Sequence, residues 1–269
     1  MIAIVGGGRM GRGLAQALSG AGQRVTLWSR REATISVSEA LSGAHTVLLA
    51  VPDDAITDVA AELAERRAIE SSQVVLHLSG LLDARALRPL ERCGAALGSI
   101  HPLQAISEPE TAAARWSGAF AAVEGDRRAI AEAERLAALL GLTAVRLAAG
   151  AKAAYHAAAV IASNYVVALT AMAGRIAEAA GVPGALAGQM YLPLVRGVAA
   201  SLERQSPAEA LTGPVRRGDV ATIRAHLEAL QPEDRELYAR LGLQALTLAR
   251  EAGLEPARAV EVERVLRDY

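Results

Sequence analysis

The residues best suited to proton chemistry lie together in one alanine-rich segment. Lys152 and His156 are four positions apart, and on a helix positions 152, 156, 160 and 163 share one face. Lys152 is the only lysine of the chain. Apolar surroundings would desolvate its ammonium, lower its pKa and ease proton donation. We predict Lys152 and His156 as a proton-donating pair, with Asn164 orienting a substrate and Ser163 contacting it. The alternative is a lysine that snorkels to water and a histidine that bonds a backbone carbonyl.

A glycine-rich motif directly follows the first strand-like run. Residues 6–11 read GGGRMG, which matches G-x-G-x-x-G and precedes a helical pattern. Gly6 would permit a tight turn, Gly8 would let a pyrophosphate approach the backbone, and Gly11 would let the helix pack on the sheet. The helix N-terminus adds free N–H groups and partial positive charge. The alternative is a glycine-rich turn without a ligand. The predicted cofactor contacts in this loop are Gly6, Gly8, Arg9, Met10 and Gly11.

The end of the second strand-like run decides which dinucleotide would fit. NAD sites usually place an acidic residue there to bind the ribose 2′-OH. This run ends in Ser29, Arg30 and Arg31, and no acid follows until Glu32. A hydroxyl and two guanidiniums suit a 2′-phosphate, which arginine binds in bidentate fashion. We predict NADP(H), with these three residues as contacts, unless both arginines are merely solvated turn residues.

Three further loops at predicted strand ends carry polar residues. Ligands of open α/β sheets bind beyond the carboxyl ends of the strands. We predict Val51, Pro52 and Ser79 as cofactor contacts, and His77, His101 and Gln104 as substrate contacts. Either histidine could instead be structural, and Asp53 or Asp54 would cap the next helix. None of these residues has metal-ligand spacing, so we predict no metal.

The elements that must position these residues change in kind near residue 150. Seven short apolar runs before it alternate with helical patterns, including Ala84–Cys93, which is typical of an α/β doubly wound parallel sheet of the Rossmann type. Only helical patterns follow, among them single helices predicted over Ala151–Ala180 and Gly184–Glu203. We predict a dinucleotide-binding domain over 1–149 and an all-helical domain over 150–269.

Composition excludes several classes of function. The formal net charge of −1 provides no basic excess for nucleic acid binding. The lone Cys93 fits a reducing compartment. The N-terminus lacks the pattern of a secretory signal, and no uninterrupted apolar run reaches the length of about 18 residues needed to span a membrane. We therefore expect a soluble cytoplasmic protein with no nucleic acid or membrane partner.

Several motifs together resemble a known family. They are the glycine motif, residues 77–80 (HLSG), 101–104 (HPLQ), 155–165 (YHAAAVIASNY) and 211–219 (LTGPVRRGD). This combination resembles a family of Rossmann-like oxidoreductases with a helical C-terminal domain of unassigned function. More distantly, the chain resembles the superfamily of pyrroline-5-carboxylate reductase, ketopantoate reductase and 6-phosphogluconate dehydrogenase.

The resemblance implies a homodimer formed through the helical domain, with the active site between a Rossmann and a helical domain. Its hydroxyacid members carry a catalytic lysine on this helix with an asparagine one turn later. Lys152 matches the lysine, whereas His156 stands at the asparagine position. Some members of the family reduce ketopantoate, which makes a ketopantoate-like 2-keto acid the first expected substrate.

The leading hypothesis is thus an NADPH-dependent reductase of a small carbonyl compound. An imine reductase of the pyrroline-5-carboxylate reductase type and a non-catalytic NADP(H)-binding redox sensor are the alternatives. A keto acid or a cyclic imino acid would require an arginine for its carboxylate, for which Arg196, Arg216 and Arg217 are candidates. The 211–219 loop could close over a substrate, touch a second subunit or simply connect two helices.

Overall fold

The computed structural model describes residues 1–104 and 116–269. They form two compact units, Met1–Ala162 and Ser163–Tyr269. The units thus divide at 162/163 rather than at the predicted 149/150, because the helix that follows the last strand contributes its buried Lys152 to the first unit.

The first unit is built on a seven-stranded sheet in the order β2-β1-β3-β4-β5-β6-β7. Neighbouring strands are parallel, except that β6 runs antiparallel to β5. The predicted Rossmann-type sheet is therefore confirmed with one correction, since it is mixed at β6. There Gly98 lies opposite Gly125, and a Cβ on either residue would collide with the neighbouring backbone. The strands are β1 (Ile2–Val5), β2 (Val25–Trp28), β3 (Thr46–Leu49), β4 (Val74–His77), β5 (Ala96–Pro102), β6 (Phe120–Gly125) and β7 (Thr143–Arg146).

The central strands are apolar on both faces because both faces are covered. In β1, Ile2 and Ile4 enter one hydrophobic layer, and Ala3 and Val5 enter the other. This alternation follows from the two-residue period of a strand. The helices of this unit are α1 (Arg9–Gly20), α2 (Val37–Leu41), α3 (Ile56–Glu65), α4 (Arg127–Leu139) and α5 (Lys152–Ala162). Largely apolar central strands are what a doubly covered parallel sheet requires.

The segment Ala84–Cys93 is helical as predicted, and its helix is of the 3₁₀ type. Pro89 lies within it, lacks a backbone N–H and would clash inside an α-helix. The buried Leu87 and Leu90 are three residues apart, which matches the three-residue turn of a 3₁₀ helix.

The second unit is helical, as predicted. Two long helices of the prediction are interrupted: Ser163, at φ −124° and ψ −71°, separates α5 from α6, and residues 188–191 separate α7 from α8. The Ser163 hydroxyl donates to the Asn164 side chain at 3.0 Å, a local bond that competes with helical pairing. The helices are α6 (Asn164–Ala179), α7 (Gly184–Ala187), α8 (Leu192–Leu202), α9 (Pro207–Ala210), α10 (Pro214–Arg217), α11 (Val220–Ala229), α12 (Pro232–Glu251) and α13 (Pro256–Arg267).

One stretch of the described residues, Lys152–Ala179, is long and apolar enough to cross a membrane by length and composition. The prediction counted only uninterrupted apolar runs and therefore passed over it. The break at Ser163 divides this stretch. The first residue of the stretch, Lys152, carries a charged side chain that is buried against the sheet of the first unit.

Candidate active site

The glycine loop has the geometry that its spacing predicts. Gly6 has a φ of +125°, and a Cβ there would collide with the Ala50 carbonyl. A Cβ on Gly11 would collide with the carbonyl oxygen of Gly6, so α1 can approach β1 only without a side chain. A Cβ on Gly8 would meet nothing within 4 Å. The first and third glycines thus shape the turn, while the middle one faces open space.

A cavity of about 560 Å³ opens beside this loop, at the carboxyl ends of the first strands. Seven of the predicted cofactor contacts line it: Gly6, Gly8, Ser29, Arg30, Arg31, Val51 and Pro52. Arg9, Met10 and Gly11 do not line the cavity; Met10 packs on the core and Gly11 is buried against Gly6.

Sequence reasoning missed several residues that line the same cavity: Arg12, Trp28, Glu32 and Glu62. Arg12 lies one residue beyond the glycine motif, and Glu32 directly follows the predicted phosphate contacts, so adjacency was a usable signal for both. Glu62 comes from α3 and had no signal in its local sequence.

Ion pairs already engage part of the predicted phosphate site. The Arg30 guanidinium donates to Glu62 at 2.5 Å, and Arg12 donates to Glu32 at 2.6 Å. The Ser29 hydroxyl also donates to Glu32, at 3.3 Å. Within the described part of the chain, no ion pair is recorded for Arg31. The cavity therefore offers the Arg31 guanidinium outright, and a ligand must share those of Arg12 and Arg30 with carboxylates.

Lys152 anchors a second polar cluster, formed by the loop after β4 and by residues within β5 and β6. Its ammonium donates to the Ser79 carbonyl at 2.6 Å and to the Ser99 hydroxyl at 3.0 Å. The Ser99 hydroxyl donates in turn to Glu124 at 2.7 Å. Burial lowers the pKa of Lys152 to about 8, although the negative charge of Glu124 opposes this. The predicted desolvation is present, but only 2 % of the residue is accessible, so Lys152 is held inside the cluster and does not project toward a substrate.

His77 and Ser79 hold the backbone and are not open to a ligand. The His77 ring is fully buried, with Nε2 3.1 Å from the Asp83 carbonyl, and Nδ1 accepts from the Ser79 N–H at 3.2 Å. Burial lowers the pKa of His77 to about 4. The Ser79 hydroxyl donates to Asp53 at 2.6 Å and accepts from the N–H groups of residues 81 and 82. The substrate role predicted for His77 and the cofactor contact predicted for Ser79 have no accessible polar atom to support them.

Asp53 therefore does not cap the next helix. It begins a short 3₁₀ turn, Asp53–Ala55, in which no side chain caps the helix start. Its carboxylate instead accepts the Ser79 hydroxyl and so ties the loop after β3 to the loop after β4. Asp54 caps neither this 3₁₀ turn nor α3, because their N-cap residues are Pro52 and Ala55.

Three rings gather where β5 meets α5. His101 Nδ1 and the Tyr155 hydroxyl are 2.9 Å apart, and the His101 ring stands edge-on to both Tyr155 and His156. Burial, followed by the charge of Lys152, lowers the pKa of His101 to about 4, so the ring is neutral at pH 7. Burial raises the pKa of Tyr155. Gly80 is packed so closely against the two histidines that a Cβ would lie 2.5 Å from His156 Nδ1 and 2.9 Å from His101 Nε2.

The remaining predicted substrate residues are Asn164, Ser163 and Gln104. Asn164 is the first residue of α6 in the second unit, and its side chain accepts from the Ser163 hydroxyl. Gln104 is exposed just after β5. Tyr155, which carried no predicted role, is within hydrogen-bond distance of His101, and its signal was its place between Lys152 and His156. No group of three or more His, Cys, Asp or Glu residues in 1–104 and 116–269 could hold a metal.

Comparisons with known proteins agree with this architecture. Residues 1–102 match a Rossmann-like domain, and residues 119–245 match a domain of unknown function, DUF2520. No curated protein sequence matches the chain.

Solved structures share the fold. Protein TM1727 of Thermotoga maritima is 25% identical with a TM-score of 0.74, over 93% of this chain and 99% of that one. A pyrroline-5-carboxylate reductase of Coxiella burnetii is 20% identical with a TM-score of 0.59, over 94% and 98%. A pyrroline carboxylate reductase of Plasmodium falciparum, solved with NADP bound, is 12% identical with a TM-score of 0.61, over 98% and 97%.

Proposed function

Since the chain belongs to the family that joins a Rossmann-like domain to a DUF2520 domain, we propose that it is an NADP(H)-dependent oxidoreductase that reduces a small carbonyl compound by hydride transfer. One observation carries the proposal. Pro52 lines the cavity, and the next residue, Asp53, accepts a hydrogen bond from the Ser79 hydroxyl. The carbonyl of the same serine accepts a hydrogen bond from Lys152. A dinucleotide cavity and a cluster able to handle protons thus adjoin on one edge of one sheet.

The residues present fit NADP(H). The open face of Gly8 and the N-terminus of α1 would receive the pyrophosphate. Ser29, Arg30 and Arg31 would receive the 2′-phosphate. The bound cofactor would supply a hydride at the carboxyl edge of the sheet. The open glycine and the guanidiniums together favour a phosphorylated dinucleotide over a smaller ligand.

The ring cluster is suited to deliver the proton that carbonyl reduction requires. The half-buried Tyr155 phenol can donate its proton while it accepts a hydrogen bond from the Nδ1–H tautomer of His101. His156, on the same helix, is a second candidate donor. Lys152 contributes a fixed positive charge that favours the negative charge developing on the substrate oxygen. We thus retain Lys152 and His156 as functional residues and assign the lysine an electrostatic role.

A ketopantoate-like 2-keto acid is the first substrate to test. A cyclic imine is the second, because Asp53 presents a carboxylate beside the cluster that would attract a protonated iminium. Pyrroline carboxylate reductases with this fold act on such imines by name. The two candidates differ in charge, so one panel of compounds separates them.

We also propose a cytoplasmic homodimer formed through the helical unit. Apolar side chains of α6 and α8 are strongly exposed, including Val167 at 71% and Val198 at 58%. A second copy, as the resemblance implies, would cover them. Light scattering without detergent should find twice the chain mass, and Val198→Glu should shift it toward the monomer. A monomeric wild type would refute the dimer, and a requirement for detergent would point to membrane association.

The decisive experiment combines binding and turnover. We expect the purified protein to bind NADPH and to oxidise it with a 2-keto acid or a cyclic imine. Arg30→Ala with Arg31→Ala should weaken NADPH about 10- to 100-fold and NADH far less, since one charged hydrogen bond is worth about 1.5–3 kcal/mol and Arg30 must first leave Glu62. Arg88→Ala with Arg92→Ala is the matched control, because these residues line a separate recess. Equal losses for both cofactors would refute the 2′-phosphate assignment. Binding without turnover of any compound would favour the redox sensor.

A further inference from the structure

Glu32 occupies the ribose end of the cavity. Its carboxylate accepts from Arg12 at 2.6 Å through one oxygen and from the Ser29 hydroxyl at 3.3 Å through the other. The second oxygen is also 3.6 Å from the position that a Cβ on Gly7 would take. The carboxylate therefore lies between the end of β2 and the glycine loop, beside the predicted 2′-phosphate contacts Ser29, Arg30 and Arg31.

The same carboxylate has opposite relations to the two nicotinamide cofactors. Toward a free ribose 2′-OH it is a hydrogen-bond acceptor, the role that an acid near the end of the second strand plays in NAD sites. Toward a 2′-phosphate it is a like charge, and it competes for Ser29 and for the positive charge of Arg12. Removing its charge should therefore shift the two affinities in opposite directions.

Glu62, by contrast, would affect only the binding of a 2′-phosphate. It holds Arg30 at 2.5 Å and also accepts from Arg66 at 3.0 Å, so a 2′-phosphate must draw Arg30 away from it. Arg30 is 74% exposed in its side chain, and an exposed pair of this kind is weak enough for a ligand to break. Among the hydrogen bonds and ion pairs of the described residues, none joins Glu62 to the side chain of Ser29 or Arg12. Replacing Glu62 should therefore leave NADH binding nearly unchanged.

We propose that Glu32 is the cofactor-specificity residue of this cavity: it accepts the 2′-OH of NADH, opposes the 2′-phosphate of NADPH, and so makes the protein able to use both cofactors. The assignment rests on the proposed dinucleotide function. Arg31, aided by Arg30, supplies the preference for NADPH, and Glu32 limits it.

The test measures dissociation constants of NADPH and NADH by fluorescence titration, at one ionic strength. Glu32→Gln should weaken NADH about three- to tenfold and tighten NADPH about two- to fivefold. Glu62→Gln should tighten NADPH about two- to fivefold and leave NADH unchanged. Glu65→Gln is the matched control, because it lies on the same helix and lines a separate recess. Thermal melting verifies that each variant is folded.

The outcomes distinguish the specificity role of Glu32 from the proposed dinucleotide function. A change of both affinities in the same direction, or an unchanged ratio, in folded Glu32→Gln would refute the specificity role while leaving the cofactor site in place. Failure of the wild-type protein to bind either nucleotide would refute the proposed function and this assignment with it. Opposite shifts in the two affinities cannot come from a merely structural defect and would establish the role.

Discussion

Replacing Lys152 by methionine tests the account of the buried cluster through the pH dependence of stability. Burial lowers the pKa of Lys152 to about 8 from an ordinary value of 10.5. Between these values the unfolded chain binds more protons than the native one, so the free energy of unfolding rises with pH. Below pH 8 the lysine is charged in both states and the full cost of its burial is present. Over the whole window the rise amounts to about 3 kcal/mol, at 1.36 kcal/mol for each pKa unit.

The Lys152→Met variant lacks this titration. At pH 7 it should be less stable than the wild type, because it leaves the Ser79 carbonyl and the Ser99–Glu124 pair without their donor. The difference in the free energy of unfolding between the two proteins should then increase by most of about 3 kcal/mol as the pH rises to 10. Tyrosine titrations, including that of Tyr155 with its raised pKa, are common to both proteins and cancel in the difference.

The assay is urea unfolding at pH 7, 8, 9 and 10, followed by tryptophan fluorescence. Both tryptophans, Trp28 and Trp116, belong to the first unit, so the signal reports the unit that contains Lys152. Lys152→Arg is the control: a guanidinium stays charged throughout, and its stability should lack the same rise. Curves for the wild type and Lys152→Met that stay parallel within about 0.5 kcal/mol would refute the buried, depressed lysine.

Four further substitutions, with one control, probe the loop and the rings. Tyr155→Phe should lower kcat about 10²- to 10⁴-fold for the compound that proves to be the substrate and leave the NADPH affinity unchanged. Single-turnover NADPH oxidation would measure the first effect and NADPH titration the second. An unchanged kcat would exclude the phenol as the proton donor. Gly80→Ala should abolish turnover by displacing the two histidine rings, whereas Gly20→Ala, with open space around its Cβ, should not. Gly11→Ala should lower thermal stability through its clash with the Gly6 carbonyl, while Gly8→Ala should keep the stability and weaken NADPH; equal melting temperatures for the two variants would contradict the distinct roles of these glycines.

Local patterns were sufficient for the parts of the fold that depend on neighbours along the chain. The seven apolar runs became strands, because unbroken hydrophobic residues suit a sheet covered on both faces. The glycine motif folded as its spacing requires, since φ +125° at Gly6 and the close packing of Gly11 are demands that only glycine meets. The sequence predicted a helix over Ala84–Cys93 but not its 3₁₀ type, because the apolar spacing fits both helical periods.

What the side chains of the site contact was decided by the tertiary structure. Helical spacing correctly put Lys152 and His156 on one helix, yet the partners of the lysine, Ser79 and Ser99, lie 73 and 53 residues away in sequence. The Arg30–Glu62 pair likewise joins residues 32 positions apart. Sequence determines which groups a turn of helix or the end of a strand presents. Whether a charge faces water or is buried depends on the order of the strands, because desolvation is set by every element that packs around the group.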